Sequence, residues 1–144
     1  MLQELKRPGV LQPISLATIN IKNLRLRTFI GFNPEERVKK QDVVLNIQIR
    51  YRPNPSVLDD EVEGALNYKT ITKAVIRQVE EGRFLLLEKL VADVLATCSD
   101  HADVTHASVT IDKPHALRFA ESVSLTLEYD KTSDLSLKTL EKAS

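Results

Sequence analysis

The stretch that most restricts what this chain can become is DVVLNIQIRYR, residues 42–52. In it Val43, Leu45, Ile47, Ile49 and Tyr51 alternate with Val44, Asn46, Gln48, Arg50 and Arg52. Successive side chains of an extended strand point to opposite faces, so this segment buries one face and leaves the other mostly polar. Such a strand needs neighbours in a sheet and a layer over its apolar side. Pro53-Asn54-Pro55 stops it, because proline has no amide to give a ladder.

Three further segments share the two-residue period. Ser15 to Ile30 carries apolar residues at Ile19, Ile21, Leu24 and Leu26, with Phe29 a further candidate; the phase slips at Lys22-Asn23, as a bulge in one long strand requires. Val104 to Asp112 turns Ala107, Val109 and Ile111 inward, and Ser122 to Tyr129 does the same with Val123, Leu125, Leu127 and Tyr129. KPHALRFAE joins these two as a hairpin. Between the strand pairs, an acidic linker, DDEVE, leads to Asn67, a helix N-cap ahead of Ile71, Ala74, Val75 and Val79 at helical spacing. Gly82 ends that helix, and Phe84 to Cys98 reads as a second.

The order is therefore ββααββ, an α+β domain whose antiparallel sheet is covered on one face by two helices. Residues 14–129 form the single domain, with residues 1–13 a flexible N-terminal arm holding Pro8, Gly9 and Pro13, and 130–144 a polar C-terminal tail. The sheet has free edges, and its second face is not purely polar, with Ala17 and Val44 on it. Such edges are normally blunted or paired, which predicts a homo-oligomer whose sheets join between subunits.

With 20 basic and 20 acidic residues, the chain offers no net charge to draw nucleic acid or an anionic membrane, so small-molecule or protein partners are expected. One cysteine, Cys98, excludes an internal disulfide framework and suits a reducing compartment. No signal peptide or bilayer-spanning run is legible, and the expected location is cytoplasmic.

Four places invite chemistry. In FLLLEKLVADVL, residues 84–95, Glu88 on a helix lies among Phe84, Leu85, Val91 and Ala92, none of them a cation. A buried unpaired carboxylate costs several kcal/mol, so if that face packs inward Glu88 is protonated, hydrogen-bonded to protein, or waiting for a ligand. Lys113, at a strand end beside Pro114 and His115, is a general base or phosphate ligand, or simply a solvated hairpin lysine. Tyr68 stands in the first turn of a helix, where the dipole favours a phenolate, although tyrosines there also serve as amphipathic covers. The loop GFNPEERVKKQD carries Glu35, Glu36, Arg37, Lys39 and Lys40, a pattern that solvation alone explains. His101, His106 and His115 lack the spacing that brings two imidazoles onto one metal, and no phosphate-cradling glycine loop or nucleophile elbow is present. No cofactor is expected.

NLRLRTFIG, the loop glutamates, ALNYKT, FLLLEKL and IDKPHALR, in this order on a ββααββ scaffold, resemble the dihydroneopterin aldolase family from residue 17 to 129. The longer runs LNYKTITK, RFLLLEKL and DKPHALRFAESVS are similar to its bacterial dihydroneopterin triphosphate 2′-epimerase branch. The resemblance implies the tunnelling fold (T-fold), in which four subunits close a barrel, two rings stack into an octamer and active sites lie between subunits. It implies that Glu88 binds a pterin, whose amide N–H and adjacent amino group are parallel donors for one carboxylate. It further implies that Lys113 is catalytic, that Tyr68 serves a neighbour's site, and that Glu36 is the loop glutamate, with Glu35 an open alternative in that register. The usual aldolase His-Gly is here Ile30-Gly31, which favours the epimerase branch. The implied activity inverts C2′ of 7,8-dihydroneopterin triphosphate to give 7,8-dihydromonapterin triphosphate by retro-aldol and aldol steps. The alternatives are an aldolase releasing glycolaldehyde and 6-hydroxymethyl-7,8-dihydropterin, and a non-catalytic oligomeric pterin-binding protein. Arg118, His115, Lys39 and Lys40 are the candidates for the triphosphate.

Overall fold

The computed structural model describes residues 16–132. The expected arm over residues 1–13 lies outside the described residues, as does the expected tail beyond residue 132.

The sheet is built from β1 (Ala17–Ile30), β2 (Gln41–Tyr51), β3 (Arg83–Phe84), β4 (Val104–Pro114) and β5 (Ser122–Asp130), in the spatial order β3-β1-β2-β4-β5. The four long strands run antiparallel to their neighbours, and β3 lies parallel to the end of β1. Val43, Leu45, Ile47 and Ile49 of β2 are buried, and Asn46 and Gln48 lie on the opposite face, where Gln48 bonds Asn20 across the strands. The phase slip in β1 is a register shift between Ile21 and Leu24. Asn23 sits there at φ +53, which asparagine tolerates better than most residues, and its amide and side chain both bond Asn46 across the ladder.

After the slip, Leu26, Thr28 and Ile30 point into the core. Phe29 therefore faces the other way, contrary to the sequence expectation, because one strand cannot send neighbouring residues to the same side. The acidic linker is not featureless: Pro55–Asp59 and Val62–Gly64 form two 3-10 turns, the first capped by the Asn54 side chain on the Ser56 amide.

Helix α1 (Tyr68–Glu80) begins where expected, with Asn67 Oδ1 accepting from the Thr70 amide at 3.1 Å. It buries Val75 and Val79 against β1, while Ala74 is exposed. Helix α2 (Leu87–Ser99) starts three residues later than the apolar run suggests. Phe84 is instead held extended, paired with Ile30, and its carbonyl accepts from the Gly31 amide at 2.9 Å. Pairing with the end of β1 and burial of the Phe84 ring outweigh the helix propensity of the leucines that follow. α2 covers β4 and β5 with Leu90, Val91, Val94 and Cys98, in one core with the inward residues of all the long strands. Both helices thus lie on one face. Burial pushes the Cys98 thiol up to about 12. Among the described residues no helix is long and apolar enough to cross a membrane.

Candidate functional site

The site lies at the end of the sheet where β1 stops, β2 starts and β4 ends. Lys113 follows Ala107, Val109 and Ile111 on the inward face of β4, and Gln41 precedes Val43 on the inward face of β2. The apolar layer is thus closed at this end by a lysine and an amide. Over them folds the loop after β1, in which the Arg37 amide bonds the Asn33 carbonyl and the Val38 amide that of Glu35, a tight turn that swings Glu36 back over the strands. Gly31 lets this happen. Its φ is +124, which side-chain-bearing residues rarely adopt, and a Cβ there would lie 2.2 Å from the Glu36 carboxyl carbon.

Glu36 is bonded from three sides. Lys113 Nζ donates to Oε2 at 3.0 Å, Gln41 Nε2 donates to the same oxygen at 3.1 Å, and the Asn33 amide reaches Oε1 at 3.4 Å. Gln41 also donates to the Ile30 carbonyl, which fixes its amide. Burial works against the charge on Glu36, but these bonds and the nearby ammonium outweigh it and hold the carboxyl below its ordinary value of 4.5. The two side chains keep only 13% and 23% of their exposure. Glu36, not Glu35, is the loop glutamate that the turn directs to Lys113.

A cavity of about 230 Å³ opens beside this pair, lined by Phe29, Gly31, Glu36, Arg37, Arg83, Phe84 and Leu85. The Arg83 guanidinium sits 3.9 Å from the centre of the Phe29 ring and donates to the Arg37 carbonyl at 3.2 Å. Sequence reasoning gave no weight to Phe29, Gln41 or Arg83 as site residues. Their only signal was composition at strand ends, and the contact of β3 with β1 that brings Arg83 to Phe29 is a two-residue pairing without a periodic pattern.

Glu88 is not buried. Because α2 starts at Leu87, Phe84 and Leu85 are off the helix, and Glu88 is exposed in its first turn, where the dipole favours an anion. It has no hydrogen-bond or ion-pair partner among the described residues. The apolar residues before it, Leu85 and Leu86, are themselves more than half exposed. Leu85 and Leu86 are therefore surface rather than core, and β3 and the start of α2 present them at the same end of the molecule as the Glu36–Lys113 pair.

Tyr68 is at the other end. The C-terminal end of α1 is tied to the site end of the sheet: the Glu80 carbonyl accepts from Lys40 Nζ at 3.1 Å and the Gly82 carbonyl from the Thr28 hydroxyl at 3.4 Å. Twelve residues of helix at 1.5 Å each put the start of α1 roughly 18 Å away. Tyr68, 52% exposed, cannot reach Glu36 of its own chain. Of the expected triphosphate ligands, Lys40 is engaged by that helix end and lies 5.8 Å from the Phe29 ring centre, while Lys39 is exposed in the loop. His115, at φ +66, turns the chain out of β4, and Arg118 lies over the exposed Phe119 ring in the β4–β5 connection.

The dihydroneopterin aldolase (FolB) family model matches residues 19–128 of this chain. The chain belongs to the dihydroneopterin aldolase family. Within it, the chain is 54% identical over 112 residues to the dihydroneopterin triphosphate 2′-epimerase of Pseudomonas aeruginosa, covering 78% of this chain and 91% of that one. The Escherichia coli protein of the same name is 51% identical over 115 residues, covering 80% and 96%. Among solved structures, a putative dihydroneopterin aldolase from Vibrio cholerae superposes with a TM-score of 0.75 at 28% identity, covering 82% of this chain and all of that one. The Escherichia coli dihydroneopterin aldolase in complex with neopterin gives 0.73 at 25% identity, covering 78% and 98%. Two helices on one face of a curled, mainly antiparallel sheet are thus the T-fold of this family.

Proposed function

We propose that this protein is a dihydroneopterin triphosphate 2′-epimerase, converting 7,8-dihydroneopterin triphosphate to 7,8-dihydromonapterin triphosphate. The observation that carries the reading is the enclosed Glu36–Lys113 pair beside an open cavity, in a chain 54% and 51% identical, over 112 and 115 of its residues, to relatives of that name.

A 7,8-dihydropterin carries a C6=N5 imine. When the 2′-hydroxyl loses its proton, the C1′–C2′ bond can break, its electrons pass to C1′ and the ring, and N5 takes up a proton. The substrate is its own electron sink, so the protein has only to place proton donors and acceptors. Lys113 and Glu36 share a hydrogen bond, and one proton moving along it changes the role of each. Tyr68, brought by a second subunit, is the further proton carrier. If the aldehyde fragment is held, turns its other face and rejoins, C2′ is inverted; if it escapes, the outcome is aldol cleavage.

Glu88 is the pterin anchor in this reading. An exposed carboxylate at a helix start, without a partner among the described residues and flanked by exposed Leu85 and Leu86, suits the two parallel donors of a pterin edge under an apolar cover. That cover, and Tyr68, come from a neighbouring protomer. Supporting this are the unpaired sides of β1 from Ala17 to Thr28 and of β5, which among the described residues carry no strand partner and suit joining sheet to sheet into a tetrameric barrel, with two barrels stacked as an octamer. A cytoplasmic location belongs to the same reading.

Incubation with 7,8-dihydroneopterin triphosphate followed by chiral separation of the product tests it. Inversion at C2′ is expected. Release of the aldehyde fragment would make the protein an aldolase, and unchanged substrate with measurable binding would make it a binding protein; either result rejects the epimerase.

A further inference from the structure

We propose that Arg83, with Arg37 beside it, is the group that reads the triphosphate, in place of the loop cations Lys39, Lys40, His115 and Arg118. The inference rests on the reading above that the substrate carries a triphosphate, and it assigns that tail a residue and a place.

Arg37 and Arg83 both line the cavity that Glu36 lines. The triphosphate is attached at C3′, one carbon beyond the C2′ hydroxyl that must face the Glu36–Lys113 pair, so its first phosphate falls within the reach of a side chain on the same cavity wall. Charge in this cavity is unbalanced. Arg27 is paired with Asp42, Arg77 with Glu81, Lys89 with Asp93 and Lys113 with Glu36, but among the described residues neither Arg37 nor Arg83 has a carboxylate partner. The one acid in the cavity is already neutralised by Lys113. In a chain with equal numbers of acids and bases, two arginines lining one cavity, neither with a carboxylate partner among the described residues, are a local excess of positive charge.

Arg83 is also oriented in advance. Stacking on Phe29 fixes the plane of its guanidinium, and one N–H is spent on the Arg37 carbonyl. The remaining donors lie along the edge of that plane, in the fork geometry that phosphate oxygens accept bidentately. A side chain already immobilised loses little freedom on binding. The competing cations are less suited: Lys40 is committed to the end of α1, and Arg118 rides on an exposed ring in a loop.

Fluorescence titration with neopterin and with neopterin 3′-triphosphate, which share the pterin and differ only in the tail, tests this on the full-length protein. The wild type binds the triphosphate more tightly. In Arg83→Gln the ratio of the two dissociation constants falls at least tenfold, and Arg83→Lys, which keeps the charge and loses the fork, recovers part of it. An unchanged ratio in Arg83→Gln overturns the proposal. So does an equal loss for both ligands, which would make Arg83 a structural residue, or a ratio lost in Arg118→Gln instead. If the wild type binds neither pterin, the epimerase reading fails, and titration with inorganic tripolyphosphate still decides the cationic cavity: binding sensitive to Arg83→Gln sustains it, and binding that is absent or insensitive ends it.

Discussion

Replacing Gly31 with alanine probes the geometry of the site more directly than removing any charged residue. The new Cβ would lie 2.2 Å from Cδ and Oε1 of Glu36 and 2.5 Å from Oε2. These atoms end a flexible side chain, so the clash is relieved by swinging the carboxylate away. The cost is therefore not steric overlap but what the carboxylate leaves behind, the Lys113, Gln41 and Asn33 contacts. Hydrogen bonds to a charged group contribute about 1.5–3 kcal/mol, and partial exposure of the pair puts the loss toward the lower figure. Holding a non-glycine residue at φ +124 adds about 1–3 kcal/mol of backbone strain. Together Gly31→Ala should destabilise by about 2–5 kcal/mol in urea unfolding, and turnover should fall on the order of a hundredfold, as expected when a reacting group is misplaced by about an ångström. A double-mutant cycle separates the two terms. In a Glu36→Ala background there is no carboxylate to displace, so Gly31→Ala should cost only the strain. If it costs as much there as in the wild type, Gly31 is required for its dihedral angle alone, and the packing of Glu36 on it is incidental.

Three other outcomes follow from the site. Lys113→Ala should lower kcat about a hundredfold or more while neopterin affinity changes far less, and a variant that keeps its turnover removes Lys113 from the chemistry. Glu88→Gln turns one acceptor into a donor facing a donor, and should weaken neopterin binding about ten- to a hundredfold by calorimetry; unchanged affinity rejects the anchor role. Because the Glu36 carboxyl is held below 4.5 in the folded protein, its contribution to stability is present above that value and is lost as pH falls through the depressed one. The stability difference between wild type and Glu36→Gln, measured from pH 7 downward, should therefore shrink below pH 4.5, and a difference that grows on acidification contradicts the ion pair.

The sheet was largely legible in the sequence because alternation in β2, β4 and β5 is set by burial on one side, and burial is what the structure enforces. The slip in β1 and the Asn67 cap were legible for the same kind of reason, each being a local rule with a residue that satisfies it. The start of α2 was not, since Leu86 gives no side-chain cap and the leucines run on without a break, while the force that holds Phe84 extended comes from β1, far away in sequence. Glu88 was misjudged as a consequence: an apolar neighbourhood on a helical wheel says nothing about which side of that neighbourhood meets solvent. Lys113 stood out as a possible base at a strand end and Glu36 came through the family resemblance, but their pairing had no local signal, since the two lie far apart in sequence and meet only through the turn after β1. Arg83 was invisible for want of both.

The distance along α1 has a consequence for how this protein can be handled. A helix does not bend to bring Tyr68 round to the cavity, so in the proposed reading one polypeptide alone owns half a reaction centre. Specific activity would then decline on dilution with no unfolding at all, and two inactive preparations, one lacking the Tyr68 hydroxyl and the other the Lys113 amine, would regain turnover when their subunits are allowed to exchange.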